Sequence, residues 1–475
     1  MKSTRQEEYE SPFSARYASK EISFLFSAQY KISTFRKLWL SLAKAQKKLG
    51  LPIHERQLAQ MSACVDSIDF ELADKYEKQF RHDVMAHIHA FGDQCPEAKS
   101  IIHLGATSSF VTDNGDLIQL KEALRLLFHK LIYVLRSLSC LAEREAATAC
   151  LSYTHFQSAQ PTTMGKRVCL WLQDYFLDAL EWEKLIDSLP FLGAKGATGT
   201  QASFLALFEG HSEKVLELEK LIASDFGFKK VLPIAGQTYT RKFDLNILNA
   251  LESFAASAHK MATDIRLLAH DGELFESSSS SQVGSSAMPY KRNPIYSERI
   301  CGLSRFVMSL AQNPAYTAAT QWLERTLDDS SNRRLSIPEA FLGTDAILNL
   351  LVHLISHLRV DREMTARRLE EQLPLLTMEN ILMLAVKKGG DRQALHETLR
   401  QLHLNAQKQK NPGKFLLSEI QKEFHLSSEE IKSFLDPSKL IGRAPEQVAS
   451  FLKNEIFPFL SHHSHVSISI PPVEI

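Results

Sequence analysis

Long amphipathic helices dominate the hydrophobic pattern of this chain. One stretch stands out because its apolar residues alternate spacings of three and four, at Leu117, Leu120, Leu124, Leu127, Leu131, Val134, Leu138 and Leu141. This 3.5-residue period predicts a single long helix that packs in a multi-helix bundle. These eight residues form a narrow apolar seam along the helix. Since a monomer rarely needs so regular a seam, we interpret the helix as part of a bundle that is shared between subunits.

The same periodicity predicts further helices along the chain. A helix with Phe35 and Leu38 on its apolar stripe should end at Gly50. Other helices are predicted at about 68–91, 245–270, 295–312 and 339–358, and shorter ones follow. We therefore expect an all-α fold with three parts: an N-terminal helical domain (1–110), a central long-helix bundle (111–360) and a C-terminal helical domain (361–475).

Composition limits the classes of partner. The chain has 475 residues, of which 44% are hydrophobic and 23% charged, as in globular proteins, and Lys+Arg and Asp+Glu both number 55. This balance gives no electrostatic case for nucleic acid or an anionic membrane. The first ten residues are charged and polar, no apolar run reaches a membrane-crossing length, and the six cysteines are scattered. We therefore expect a cytoplasmic protein.

Two sequence patterns could indicate a metal or a nucleotide cofactor, but neither matches a known binding motif. His82 and His87 are five positions apart and so lie on different faces of a helix, and no H-E-x-x-H motif is present. The glycine-rich stretch 193–200 lacks the ending of a phosphate-binding loop. We therefore predict neither a metal site nor a cofactor.

The polar stretch 277–294 interrupts the helical pattern. It begins with five serines, continues through Gly284, and ends in a proline-bounded half that carries Lys291, Arg292 and Asn293. A flexible first half followed by a rigid half rich in donors is the layout of a lid that closes over an anion. The alternative is a Ser/Gly linker followed by a turn.

Two further polar segments carry candidate chemistry. Thr107 and Ser108 follow Gly105, where small hydroxyl residues suit close approach to a carboxylate or phosphate, although helix caps use the same residues. His155 lies in the non-helical segment 152–163. A lone histidine there could be a catalyst or a structural residue.

These motifs together resemble a known family. The stretch GSSAMPYKRNP (284–294) closely matches the signature loop of the fumarase/aspartase superfamily, and its Tyr290-Lys291-Arg292 variant resembles the adenylosuccinate lyase branch. The segment THFQSAQPT (154–162) is similar to that family's histidine motif. The resemblance implies a fumarase/aspartase-type three-domain fold and a homotetramer whose active sites are assembled from three chains.

The resemblance also implies roles for individual residues. It makes His155 the general acid, and we assign Ser285 as the general base, with Ser286 as the rival candidate. The implied substrate-binding residues are Arg16, Tyr17, Arg81, His82, Asp83, Thr107, Ser108, Gln237, Lys291, Asn293, Arg299, Arg325, Ser330 and Arg334.

The implied activity is a carbon–nitrogen lyase reaction on small nucleotide substrates. Adenylosuccinate would give AMP and fumarate, and succinyl-aminoimidazole-carboxamide ribotide would give AICAR and fumarate. The carbanion-like intermediate requires fixed cations and N–H donors, which Lys291 and Asn293 can supply, and no cofactor. The alternatives are another lyase of the superfamily, such as argininosuccinate lyase, or a catalytically silent helical scaffold.

Overall fold

The computed structural model describes residues 9–276, 288 and 290–467, and these residues are mostly helical. The first helices are α1 (Lys20–Leu25), α2 (Ala28–Lys48), α3 (Glu55–Ala63), α4 (Phe70–Phe80), α5 (Asp83–Gln94) and α6 (Ser108–Arg144). A hairpin of β1 (Ala149–Thr154) and β2 (Gln157–Thr163) follows. Next come α7 (Met164–Ser188), α8 (Ala202–Leu207), α9 (Ser212–Asp225), α10 (Lys242–His270), β3 (Leu274–Glu276), α11 (Ile295–Leu310), α12 (Gln312–Ala319) and α13 (Asp329–His357).

The C-terminal part begins with β4 (Leu358–Val360), which pairs with β3 in antiparallel register. The remaining helices are α14 (Arg362–Leu376), α15 (Met378–Lys387), α16 (Arg392–Ala406), α17 (Pro412–Glu423), α18 (Ser428–Phe434), α19 (Ala444–Phe451) and α20 (Phe457–His462). Residues of α15, α16 and α17 form an apolar cluster of their own, separate from the main core. The boundaries proposed for the three domains stay a prediction.

The central bundle consists of α6, α7, α10, α11 and α13, which pack against one another. All eight positions of the α6 seam are at most 3% exposed within the single chain. The long helix is therefore as predicted, whereas its place in a bundle shared between subunits stays a prediction. Neighbouring helices of the same chain already cover the seam, so its regularity says nothing about other subunits.

Helices α6, α10 and α13 run in the same direction, so the bundle has two distinct ends. One end is where α6, α10 and α13 begin; here Arg241, just before α10, bridges Asp113 in α6 to Asp329 at the start of α13. We call it the network end, after the ion network that these residues form. At the other end, Arg362, just after α13, pairs with Glu145, just after α6. We call it the hairpin end, because the β1–β2 hairpin follows α6 there. With a rise of 1.5 Å per residue, α6 is about 55 Å long and α13 about 43 Å.

The helix predicted at 68–91 is in fact two helices, α4 and α5. Arg81 ends α4 in a left-handed conformation with φ of 56°, and the His82 Nδ1 accepts a hydrogen bond from the Met85 N–H (3.4 Å) at the start of α5. The break carries neither glycine nor proline. For this reason the apolar periodicity continues across Arg81, and the sequence does not indicate that one helix ends there and another begins.

Helix α13 begins at Asp329, ten residues earlier than predicted. Pro338 lies inside it, although proline is usually found in the first turn of a helix rather than in its interior. Ser330 and Arg334 therefore belong to its first turns. By length and composition α13 could also cross a membrane, but 83% of its apolar window is buried within the chain, as in the core helix of a bundle.

Candidate active site

A buried ion network joins the starts of three helices at the network end. Arg241 donates from Nε to Asp329 (2.7 Å) and from a terminal nitrogen to Asp113 (2.8 Å), and all three side chains are at most 4% exposed. Arg333 donates from Nε to Asp244 (2.7 Å) in the first turn of α10. Because each arginine spans two helices through hydrogen-bonded carboxylates, the network fixes these helix starts relative to one another.

Several predicted substrate-binding residues are held by this network. Arg325 donates to both carboxylate oxygens of Asp329 (3.0 and 3.1 Å). The Gln237 N–H donates to the carbonyl of Glu324 (3.1 Å), which fixes the 237 loop beside Arg325. Ser330 follows Asp329 directly in the first turn of α13.

The break between α4 and α5 reaches the same end. A terminal nitrogen of Arg334 lies 3.9 Å from Asp83, and the Arg334 side chain is 67% exposed. Arg81 is also exposed. Two cations on the surface above a network of paired carboxylates form a suitable contact for a phosphate or carboxylate.

The start of α6 supplies the hydroxyl groups at this end. Thr107 precedes α6 without capping it through its side chain, and Ser108 is its first residue, so both are half-buried at the helix N-terminus. Nearby, His103 accepts a hydrogen bond from Trp39 Nε1 (2.8 Å). Burial, with a smaller effect of His82, lowers the pKa of His103 to about 4. The His103 imidazole is therefore neutral at neutral pH.

His155 lies at the opposite, hairpin end. With Phe156 it forms the two-residue turn between β1 and β2, and φ is 52° and 57° at these residues. Such turns favour Asn-Gly, because left-handed backbone strains other side chains. Both side chains are exposed, and within the described residues His155 has no hydrogen bond or ion pair with another predicted site residue. The imidazole is thus presented outward.

The signature loop is also anchored at the hairpin end. Glu276, immediately before it, accepts hydrogen bonds from the N–H groups of Tyr296 and Ser297 (2.9 Å each) at the start of α11. Burial raises the pKa of Glu276. This carboxylate ties the two ends of the loop together. Ser285 and Ser286 lie outside the described residues.

The described end of the loop carries cationic groups. Lys291 is exposed, and Asn293 is half-buried just before α11. One buried terminal nitrogen of Arg299 has no hydrogen-bond partner within the described residues. Such a donor is available to an anion.

Arg16 and Tyr17 form a third group. They end a short π-helical segment (Phe13–Tyr17), where the Arg16 guanidinium lies 5.7 Å from the Tyr17 ring centroid. Phe13 packs on Phe306 near the end of α11, with ring centroids 5.4 Å apart. The Arg16 side chain is exposed.

Within one chain these groups do not meet. The Tyr296 ring contacts the His353 ring (centroids 4.5 Å apart) near the end of α13, nineteen residues from Arg334 at its start. At the rise of an α-helix that separation is about 28 Å. His155, beyond the end of α6, is farther still from Thr107. The chain therefore brings Asp83, Gln237 and Arg325 to the same end as Arg334, but neither His155 nor Lys291.

Sequence reasoning missed the network itself. Arg241, Arg333 and their carboxylate partners Asp113, Asp116 and Asp244 were not among the predicted site residues. A signal was present, because two aspartates, Asp113 and Asp116, open the otherwise apolar α6 pattern. An acid as deeply buried as Asp113 usually needs a partner.

The comparisons with known proteins agree with one another. The family profile described as "Lyase" matches residues 8–309, and that of "Adenylosuccinate lyase C-terminus" matches residues 374–451. The adenylosuccinate lyase of Schizosaccharomyces pombe is 47% identical over 94% of this chain and 95% of its own. That of Saccharomyces cerevisiae is 46% identical with the same coverage, and that of Schistosoma mansoni is 44% identical over 97% of both chains.

Solved structures agree on the fold. The 3-carboxy-cis,cis-muconate lactonizing enzyme from Pseudomonas putida has a TM-score of 0.81 at 23% identity, covering 97% of this chain and 100% of that chain. The fumarate lyase from Mesorhizobium sp. BNC1 has a TM-score of 0.79 at 23% identity, covering 92% and 99%. The predicted all-α, fumarase-type fold is confirmed.

Proposed function

This chain belongs to the adenylosuccinate lyases of the fumarase/aspartase superfamily, and on that premise we propose that each active site combines the network end of one chain with the hairpin end of another. The protein is a carbon–nitrogen lyase of purine biosynthesis. The proposal concerns how its residues are assembled and what each one does. It also includes a homotetramer in the cytoplasm, as expected from the resemblance.

The separation between the two ends carries the proposal. Arg334 and the residues near it lie about 28 Å along α13 from the level of Tyr296, where the signature loop ends. Adenylosuccinate is too short to span that length. If both groups contact one substrate, they must come from different chains, and cyclic or dihedral symmetry would repeat the arrangement at every site.

The chemistry divides between the two ends. Elimination removes a proton from the carbon beside one carboxylate of the succinyl group, breaks the bond from the neighbouring carbon to nitrogen, and protonates that nitrogen. We assign the first proton transfer to Ser285, with Ser286 as the rival base, and the second to His155. Lys291 and Asn293 would stabilise the extra negative charge of the intermediate.

The network end would bind the nucleotide part. Arg334 is exposed and held loosely by Asp83, whereas Arg325 and Ser330 are fixed next to Asp329. These groups suit a phosphate, which argininosuccinate lacks.

The remaining predicted contacts would surround this phosphate site. Thr107, Ser108 and Gln237 line the same end. Arg16 and Tyr17 would complete the phosphate contacts, and Arg81, His82 and Asp83 would border the site. We propose both adenylosuccinate and succinyl-aminoimidazole-carboxamide ribotide as substrates.

We expect Arg334→Ala to raise KM for adenylosuccinate at least tenfold while changing kcat much less, since it removes a contact made equally in the ground and transition states. Steady-state fumarate release, followed by ultraviolet absorbance, measures both constants. Arg367→Ala is the matched control, because Arg367 is a comparably exposed, ion-paired arginine on α14. An unchanged KM would contradict the phosphate role. Faster cleavage of argininosuccinate than of adenylosuccinate by the unmodified enzyme would contradict the substrate class.

A further inference from the structure

Three potential metal ligands meet where the last helix lies on the bundle. Glu183 is on α7, His462 is the last residue of α20, and His463 follows it. One ligand atom from each lies within 4.8 Å of the others. No other group of three such residues was found in the described part of the chain. The cluster involves none of the residues assigned to catalysis or substrate binding.

The surrounding structure holds this cluster in place. Arg136 on α6 donates to the carbonyl of His463 (2.7 Å) and to that of Val466 (2.8 Å). The His463 ring lies between Phe128 and Phe459, with centroid distances of 5.1 and 4.7 Å. Because the backbone and the ring are both fixed, His463 would lose little freedom on binding an ion.

The polar atoms of the cluster are incompletely satisfied. His463 is 8% exposed, and its buried Nε2 makes no hydrogen bond within the described residues, although Glu183 Oε1 is 3.1 Å away. Two ligands about 2.0 to 2.1 Å from a tetrahedral ion are separated by roughly 3.3 Å, close to this spacing.

We propose that Glu183, His462 and His463 bind one divalent transition-metal ion, with Zn²⁺ the best match, and that the ion fastens the end of the chain to α7. Two imidazoles and a carboxylate are a donor set for Zn²⁺, Co²⁺ or Ni²⁺, whereas Mg²⁺ and Ca²⁺ require mainly oxygen ligands. Because His462 is exposed, a water molecule can complete the coordination. The site is structural and takes no part in fumarate release.

Cobalt titration of the full-length, untagged enzyme after chelator treatment tests this site. We expect one Co²⁺ per chain with the visible absorption of four-coordinate cobalt, displaced by Zn²⁺ but not by excess Mg²⁺. His462→Ala removes a direct ligand, so it should weaken binding by at least the roughly tenfold to hundredfold that loss of a group orienting a ligand costs. Because His462 is exposed, this variant should fold and retain fumarate release.

The matched control is His211→Ala. His211 and Glu213 form an exposed pair, 2.9 Å apart, that does not belong to a three-ligand group. This variant should bind Co²⁺ as the unmodified enzyme does. Absence of the four-coordinate spectrum, or equal affinity in the His462→Ala and unmodified enzymes, would overturn the proposal. Glu183→Gln provides a second, independent test of the same ligand set.

Discussion

The His155→Asn variant is expected to lose a factor of about 10² to 10⁴ in kcat, the usual contribution of a positioned general acid. Asparagine suits this test better than alanine because it tolerates the left-handed conformation that the turn imposes at His155 (φ 52°). The hairpin should therefore keep its shape while the imidazole is lost. Steady-state fumarate release at saturating adenylosuccinate gives kcat directly.

Phe156→Asn is the control for the turn. Phe156 is 69% exposed and has the same backbone conformation, with φ of 57°. This change leaves the imidazole in place, so most of the activity should remain. If the two variants lose equal activity, the hairpin's shape rather than the His155 imidazole is what matters. If His155→Asn keeps more than a tenth of the unmodified rate, His155 is not the general acid.

Arg241→Leu should destabilise the folded chain by about 3 to 5 kcal/mol, the usual cost of removing one partner from a buried ion pair. The change leaves Asp113 and Asp329 in the core without their shared cation. Burial already raises the pKa of Asp113, against the opposing effect of Arg241. The expected result is a clearly lower urea midpoint in circular dichroism and a lower rate, because the helix starts at the network end lose their link.

Arg400→Ala is the matched control. Arg400 also forms a hydrogen-bonded pair with a carboxylate, that of Glu397, but both side chains are about half exposed on α16. Exposed pairs contribute little, so its urea midpoint should not move measurably. Equal midpoints for Arg241→Leu and the unmodified enzyme would contradict the structural role of the network.

The long helices were predictable because each buries one stripe with a regular period. Leu117 to Leu141 indicated α6, and the apolar pattern indicated α10 and α11 to within three residues at each end. The break at Arg81 was not predictable, since a left-handed arginine has no local sequence signal. The β1–β2 hairpin was missed for a similar reason: His155-Phe156 replaces the glycine-containing pairs that mark such turns.

The candidate site was predictable as a set of residues but not as an arrangement. Motifs identified His155, Lys291 and Arg334 because their neighbours in sequence resemble a family pattern. The distance between them depends on the lengths and shared direction of α6, α10 and α13, which no local pattern contains. The network around Arg241 was hidden for the same reason, since its partners come from three separate helices.

Mixing two variants that are each impaired below KM tests the shared site most directly. His155→Asn and Arg334→Ala homo-oligomers, assayed below KM, should each be far less active than the unmodified enzyme. After equal amounts exchange subunits, about a quarter of the sites should receive an intact His155 and an intact Arg334 from different chains, and activity should rise to about that fraction. Hybrids that form, as verified by native mass spectrometry, yet remain as inactive as the parents would contradict assembly of the site from both ends of the bundle.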